Sequence, residues 1–346
     1  VRGKVASLCQ AVLSVVVEVT GGENVAWESA DWEEREAAQA DYVLQLSDVT
    51  ALSFDSGDGP LSFTLEETGW TWDGDSEFPV NGTELDALRE DLAALKAERI
   101  IPEPDALADY GLEETARTDS GESTTLLLGS LDPGGSHRYA MLDGGTEVYT
   151  VDGSITSSLD SELLDLMELP QLPDLDEKNI TSVQLELTDG TVRQLTSAVE
   201  TRETEVETET GETDENGEPI YETTTETEEI TLWSLDGQPL PEGAVGLEDW
   251  LYDLSTLYLD SCSAFKADQE ELSACGMDGA SLLTVSLTSG ETFTLAIGGQ
   301  TEDGSYVYAA LEAPAPGCDL FLISADKART LSDLNYESLS ANEEAE

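Results

Sequence analysis

Histidine is nearly absent: the 346 residues contain one, His137. A single imidazole and cysteines without C-x-x-C spacing do not indicate a zinc site. A Ser-His-Asp or Cys-His pair would have to be built on His137, which lies beside Arg138 in a predicted strand with no nucleophile elbow nearby. We interpret His137 as a surface-facing strand residue and predict no catalytic residue.

Cysteine is also scarce, with Cys9, Cys262, Cys275 and Cys318 the only four. Cys262 and Cys275 flank one predicted helix-to-strand connection. That position fits either a disulfide in an oxidising compartment or two isolated buried thiols, and the pattern favours the thiols.

Basic residues are few, with 14 Lys and Arg against 75 Asp and Glu, for a formal net charge of -61. Such a surface repels polyanions, so nucleic acid and anionic membrane faces are poor partners. Proteins of salt-adapted organisms have the same excess of acidic residues on their surfaces. Apolar residues recur with strand and helix periods, which indicates a folded chain. Glycine-rich phosphate loops are missing, and the abundance of carboxylates leaves no pair distinguished for glycoside hydrolysis.

Long apolar runs are missing as well. Val5 to Val17 is mostly apolar and follows Arg2 and Lys4, but its 13 residues fall short of the roughly 20 that span a bilayer. Two interpretations remain, an export or membrane-anchoring segment and an amphipathic N-terminal element. We assign residues 1–47 to an anchor- or stalk-like segment.

What the chain does contain is an internal repeat, in which short apolar motifs return in the same order. Gly129 and Gly298 are separated by the same offset as Tyr139 and Tyr308. The matching segments are Val49–Phe54 with Ile180–Leu185, Leu126–Gly129 with Leu295–Gly298, and Tyr139–Leu142 with Tyr308–Leu311. The repeat predicts two tandem α+β modules, each an antiparallel or mixed sheet with one packed amphipathic helix. The boundaries are 48–160 and 179–336, with a linker at 161–178 and an acidic tail at 337–346.

Leucines at helical spacing place the packed helix in each module. Thr83 is the expected N-cap of the first, with Asp86 in a capping-box position. The inward residues are Leu85, Leu88, Leu92 and Leu95 in the first module and Leu247, Trp250, Leu251, Leu254 and Leu257 in the second. The first module has fewer residues before Gly129 than the second has before Gly298, which predicts a shortened or missing strand there.

The second module has an acidic insertion, residues 200–229, with thirteen carboxylates, nine threonines and one basic residue, Arg202. Alternating Thr and Glu around Asn216-Gly217 predict a β-hairpin that is polar on both faces and projects into solvent. Cations or a basic partner would stabilise it. The alternative is a solvated excursion without a role, which the sequence favours.

One segment approaches a calcium loop. Asp73, Asp75, Glu77 and Glu84 occupy acidic positions 1, 3, 5 and 12 of such a loop. Phe78 stands where the sharp turn needs glycine, and a strand precedes the loop. The pattern therefore favours a strand-to-helix connection over a weak divalent-cation site, and no cofactor is predicted.

Several phrases, taken in order, resemble a known family. They are Trp70-Thr71-Trp72-Asp73-Gly74, Phe78-Pro79-Val80, Asp109-Tyr110-Gly111-Leu112 and Tyr139-Ala140-Met141-Leu142-Asp143-Gly144-Gly145. The chain resembles the bacterial family called domain of unknown function 4340 over about residues 48–336. That resemblance implies an extracytoplasmic protein tethered by an N-terminal membrane helix, encoded in some bacteria beside gliding-type transport systems, without an accepted enzymatic activity. It carries over no site residues.

Together these features predict a noncatalytic, envelope-associated binding or scaffold protein, either membrane-anchored or secreted. Its expected partner is a protein, such as an envelope or transporter component. The alternative is a carboxylate-based hydrolase acting outside the cytoplasm, which would need two convergent carboxylates, one of them with a raised pKa.

Overall fold

A computed structural model of the chain divides into two compact units, Val1–Leu169 and Pro170–Glu346. In each unit the described strands form one antiparallel sheet with helical segments packed on it, an α+β arrangement. The structure describes residues 15–20, 42–46, 49–55, 59–112, 123–156, 159, 161–213 and 219–342. Most of the predicted anchor- or stalk-like segment and the tip of the acidic hairpin lie outside this part of the chain.

The first unit has an eight-stranded sheet in the order β4-β3-β2-β1-β6-β7-β8-β5. Its strands are β1 (Val15–Thr20), β2 (Ala51–Asp55), β3 (Pro60–Glu66), β4 (Gly69–Trp72), β5 (Arg99–Ile101), β6 (Ser123–Leu131), β7 (His137–Leu142) and β8 (Val148–Asp152). Among its described residues, the helix is α1 (Gly82–Ala93), and 3-10 turns lie at Leu107–Tyr110, Gly153–Thr156 and Leu163–Leu166.

Alternation of apolar residues builds the core of this unit. Phe54 and Phe63 on neighbouring strands are buried and stack with ring centroids 6.0 Å apart. Helix α1 buries the three leucines that the spacing predicted, Leu85, Leu88 and Leu92. The Trp70 Nε1 atom donates a hydrogen bond to Asp86 Oδ1 at 3.1 Å, which links β4 to the helix.

The start of α1 differs from the prediction. Asn81, not Thr83, is the N-cap, and its side chain accepts a hydrogen bond from the Thr83 amide. Asp86 bonds to Trp70 instead of completing a capping box. Leu95 lies beyond the helix end but is still buried, as predicted. The Asn81 side chain therefore caps the helix two residues earlier than the Thr83 hydroxyl would.

The compact units extend past the predicted module boundaries. The amide of Val43 donates to Leu95 O at 2.8 Å, and Val43 is buried, so the first unit includes chain before residue 48. Within the predicted linker, the Leu166 carbonyl accepts from the Asn81 amide at 2.7 Å. At the other end, Leu339 is buried in the second unit. Burial of apolar residues outside the recognised repeat accounts for each extension.

The second unit has a nine-stranded sheet in the order β12-β11-β10-β9-β14-β15-β16-β17-β13. Its strands are β9 (Ile180–Glu186), β10 (Val192–Thr213), β11 (Pro219–Leu235), β12 (Gln238–Pro239), β13 (Ser261–Ala264), β14 (Ser281–Leu287), β15 (Thr292–Gln300), β16 (Tyr306–Ala310) and β17 (Leu320–Ser324).

The described residues of this unit form four helices, so the prediction of one helix is wrong here. Helix α2 (Val245–Ser255) buries Trp250, Leu251 and Leu254, as the spacing predicted, and α4 and α5 pack against it. The other helices are α3 (Gln269–Ala274), α4 (Ala325–Ser332) and α5 (Tyr336–Leu339), with 3-10 turns at Glu177–Asn179 and Met277–Gly279. Each additional helix is eight residues or shorter, too short to show a helical apolar period.

Both sheets contain the same irregularity at a glycine. Register shifts occur between Leu128 and Leu131 on β6, and between Ile297 and Gln300 on β15. Gly129 and Gly298 lie within these bulges. Among the described residues, no helix is long and apolar enough to cross a membrane.

Candidate functional site

The most distinctive surface is the outer part of the β10–β11 hairpin. Strand β9 pairs with β10 only over Val192–Thr196, whereas β10 and β11 pair from Leu195↔Leu235 to Thr213↔Pro219. Among the described strands, the rest of β10 therefore has β11 as its sole neighbour. We call residues 200–213 and 219–230 the acidic ribbon. Its 14-residue longer arm extends about 45 Å at roughly 3.3 Å per residue.

The register of the acidic ribbon keeps carboxylates apart across the strands. Glu203 lies opposite Thr227, and Glu205 lies opposite Thr225. Arg202 lies opposite Glu228. Directly opposed like charges destabilise a strand pair, and this register avoids such pairs. The described side chains of the ribbon are mostly exposed and available to a partner.

The base of the acidic ribbon is fixed by Arg202, its single basic residue. Its Nη1 and Nη2 atoms donate to the two carboxylate oxygens of Glu242 at 3.1 and 3.0 Å. This bidentate pair raises the pKa of Arg202 and lowers the pKa of Glu242, in both cases first through the hydrogen bonds. The pair is half-exposed, so its main effect is to orient the ribbon.

A small cavity of about 80 Å³ lies beside this base, between β11 and the start of α2. Three carboxylates line it, Glu177, Glu242 and Glu248. Glu177 accepts from Trp233 Nε1 at 2.8 Å, and Glu242 is held by Arg202. Two of the three carboxylates thus have fixed protein partners, and the volume is well below that of a usual ligand pocket.

The four calcium-loop candidates serve local structure. Asp73 accepts from Thr64 Oγ1 at 2.9 Å, and Asp75 Oδ1 accepts from the amide of Glu77 at 2.9 Å. Glu84 lies in the first turn of α1. Phe78 is buried against Trp72, with ring centroids 5.5 Å apart. Within the described residues, no group of three or more metal-ligating side chains converges, at this loop or elsewhere.

The remaining candidate groups are not brought together. His137 lies in β7 with Nδ1 3.6 Å from Asp132 Oδ2. Cys262, Cys275 and Cys318 are free thiols, so the structure has the thiol alternative and not the disulfide. Burial raises the pKa of Cys262 to about 12, which makes it a poor nucleophile near neutral pH.

Carboxylates with displaced pKa values are all displaced downward in the described part of the chain. Hydrogen bonds from groups nearby in sequence lower the pKa of Asp132, Asp152, Asp189 and Asp303. A general acid for hydrolysis needs the opposite displacement. These carboxylates stabilise turns and do not form the pair that the hydrolase alternative requires.

Two features were missed from sequence. The first is the contact between Arg202 and Glu242, which are 40 residues apart in the sequence. The only indication in the sequence was that Arg202 is a single arginine among many carboxylates. A cavity of about 290 Å³ lies beside α3, with Leu272, Met277 and Leu282 in its lining. The sequence feature that could have indicated this cavity is the capping box between Asp268 and Glu271, because it marks the start of α3, the helix beside the cavity.

Comparison with protein families matches residues 70–232 to the family described as Domain of unknown function (DUF4340). The match begins in β4 of the first unit and ends in β11 of the second. No curated protein and no solved structure matches the chain.

Proposed function

We propose that this protein, whose residues 70–232 match the DUF4340 family, is a noncatalytic binding or scaffold protein that engages a partner through the acidic ribbon. The projecting ribbon is the single observation that carries this proposal. It presents carboxylates in a fixed register, and Arg202 ties its base to Glu242. Electrostatic complementarity then favours a protein with a basic surface and disfavours nucleic acid.

We also propose that the two units are copies of one module. When the spatial order is counted from β4 in the first sheet and from β11 in the second, eight successive strands occupy corresponding positions. The glycine bulges fall at the same place in β6 and β15, which further supports duplication. The short β3–β4 hairpin corresponds to the long β10–β11 hairpin, so the acidic ribbon is an insertion in the second copy.

The proposed location is the bacterial cell envelope, outside the cytoplasm. This part of the proposal rests on the family resemblance alone, because residues 15–20 of the predicted anchor- or stalk-like segment form strand β1 of the first sheet. A protein component of the envelope or of a transport system is the proposed partner, and divalent cations would bind weakly to the ribbon.

The test is a crosslinking pull-down from native envelope with three baits. The first is the full chain. The second replaces residues 203–227 by Asn-Gly, which joins the opposed residues Arg202 and Glu228 and retains the Glu242 contact. The third carries Glu203→Gln and Glu205→Gln, which keep the strands but remove charge.

We expect one set of captured proteins to be lost with the shortened bait and reduced with the glutamine bait. Increasing salt should weaken capture by the full chain, since the contact is electrostatic. Identical capture by all three baits would contradict the acidic ribbon as the contact surface.

A further inference from the structure

Strand β1 lies inside the sheet of the first unit although it is distant in sequence from both neighbours. It pairs antiparallel with β2 on one side and with β6 on the other. Val17 lies opposite Phe54 and Leu126. A strand with two neighbours offers main-chain hydrogen bonds along both edges, and its loss would expose two unpaired edges.

In the second unit the same position is filled by β14, which directly precedes β15 along the chain. Leu283 of β14 lies opposite Leu185 and Leu295. By the repeat, Leu185 and Leu295 are the counterparts of Phe54 and Leu126. Val17 therefore takes the place of Leu283.

The correspondence continues along the strand. Val19 lies opposite Leu52 and Thr124, while Val285 lies opposite their counterparts, Val183 and Phe293. Such agreement in register on both sides means that β1 fills the position of β14 without displacement.

The sequence explains why the first unit uses a distant strand. Its own segment in the place of β14, residues 113–122, reads Glu-Glu-Thr-Ala-Arg-Thr-Asp-Ser-Gly-Glu and has one apolar residue, Ala116. In contrast, β14 buries Leu283 and Val285 completely. A polar segment cannot supply that core, whereas the Val-Val-Val-Glu-Val-Thr of β1 has the required β-branched composition.

We propose that the first unit contains a strand-accepting site between β2 and β6, and that residues 15–20 are its ligand. The site would bind this strand even if the strand were a separate peptide. In the intact protein the tether through residues 21–50 keeps the ligand at high effective concentration and the site closed. A separate peptide with the sequence of β1 binds the site whenever the protein's own β1 can no longer pair with β2 and β6.

The test uses the full chain with Val17→Pro, because proline at the centre of β1 removes a main-chain donor and disfavours pairing. The probe is a fluorescent peptide of residues 13–22. A Val17→Pro peptide is the matched control. Binding is measured by anisotropy, and amide hydrogen exchange reports protection of β2 and β6.

We expect the peptide to bind the Val17→Pro chain at least about tenfold more tightly than the wild-type chain, whose site is occupied. It should also restore slow exchange in β2 and β6, even if the first unit of the variant is unfolded beforehand. The control peptide should do neither. The proposal fails if the variant retains wild-type protection without peptide, or if the peptide restores none.

Discussion

The carbonyl oxygen of Tyr110 lies directly over Gly129, so that a Cβ at position 129 would be 2.2 Å from it. Gly111 follows in a left-handed conformation, with φ of 70°. The second unit repeats this contact, because a Cβ at Gly298 would lie 2.9 Å from the carbonyl oxygen of Cys275. In both units a turn packs onto the bulge of a central strand through a glycine.

Gly129→Ala should therefore destabilise the protein, since main chain and not a flexible side chain opposes the added methyl. We expect a loss of about 1 to 3 kcal/mol in the free energy of unfolding, measured by denaturant titration. Gly82→Ala is the matched control. Its Cβ would meet Trp70 Cδ1 at an ordinary 3.6 Å, and alanine favours the helix. Equal stability of the two variants would contradict the close packing.

Leu92→Ala should cost about 2 to 5 kcal/mol of unfolding free energy, because Leu92 is fully buried on α1 and its truncation leaves a cavity. Leu131→Ala serves as the control, since Leu131 is 47% exposed. A negligible loss for Leu92→Ala would place this helix face in solvent.

The periodic parts of the fold were predictable from sequence, and the parts that depend on distant contacts were not. Leu85, Leu88 and Leu92 repeat at helical spacing and are buried on α1. The role of β1 depends on two strands far along the chain, and no local period encodes such pairing. The alternation of Thr and Glu predicted the hairpin, but the contact of Arg202 with Glu242 arises only once α2 is placed.

Two buried tryptophans should respond differently to replacement by phenylalanine. Trp233 Nε1 donates to Glu177, whereas Trp250 Nε1 is buried without a hydrogen-bond partner among the described residues. Both substitutions remove similar volume, but only Trp233→Phe breaks a bond to a charged group. We expect Trp233→Phe to cost about 1 to 3 kcal/mol more unfolding free energy than Trp250→Phe. Equal losses would indicate that Trp250 Nε1 has a partner in solution.

Tyr149 should make stability sensitive to alkaline pH. Burial, followed by its hydrogen bond to Glu147, raises the pKa of Tyr149 from 10.0 to about 12. The folded state therefore favours the protonated phenol, and this contribution is complete below pH 10. It is lost as pH rises from about 10 to about 12, because the unfolded chain ionises first.

The comparison with Tyr149→Phe isolates this effect from the other groups that titrate at alkaline pH. The unfolding free energy of the wild type minus that of the variant should decrease as pH rises from about 10 to about 12. A difference that stays constant from pH 9 to pH 12 would contradict the raised pKa.

The acidic ribbon should be the part of the second unit that proteases cut first at low salt. Its exposed carboxylates repel along each strand, and a two-stranded hairpin has little stability of its own. Salt screens such repulsion over roughly 8 Å at physiological ionic strength, so added sodium chloride should slow cleavage within residues 200–229 while the core remains intact. The glutamine variant, Glu203→Gln with Glu205→Gln, should be less sensitive to salt than wild type.

Calcium at equal ionic strength distinguishes screening from coordination. Equal protection by sodium and calcium means that the ribbon responds to ionic strength alone, as expected if its carboxylates do not converge on an ion. Protection by calcium alone would mean that the ribbon binds the ion specifically, because oxygen-ligand sites select it by charge and coordination number. Resistance equal to that of the core under every condition would mean that the ribbon is packed and does not project, and it would remove the basis for a partner at this surface.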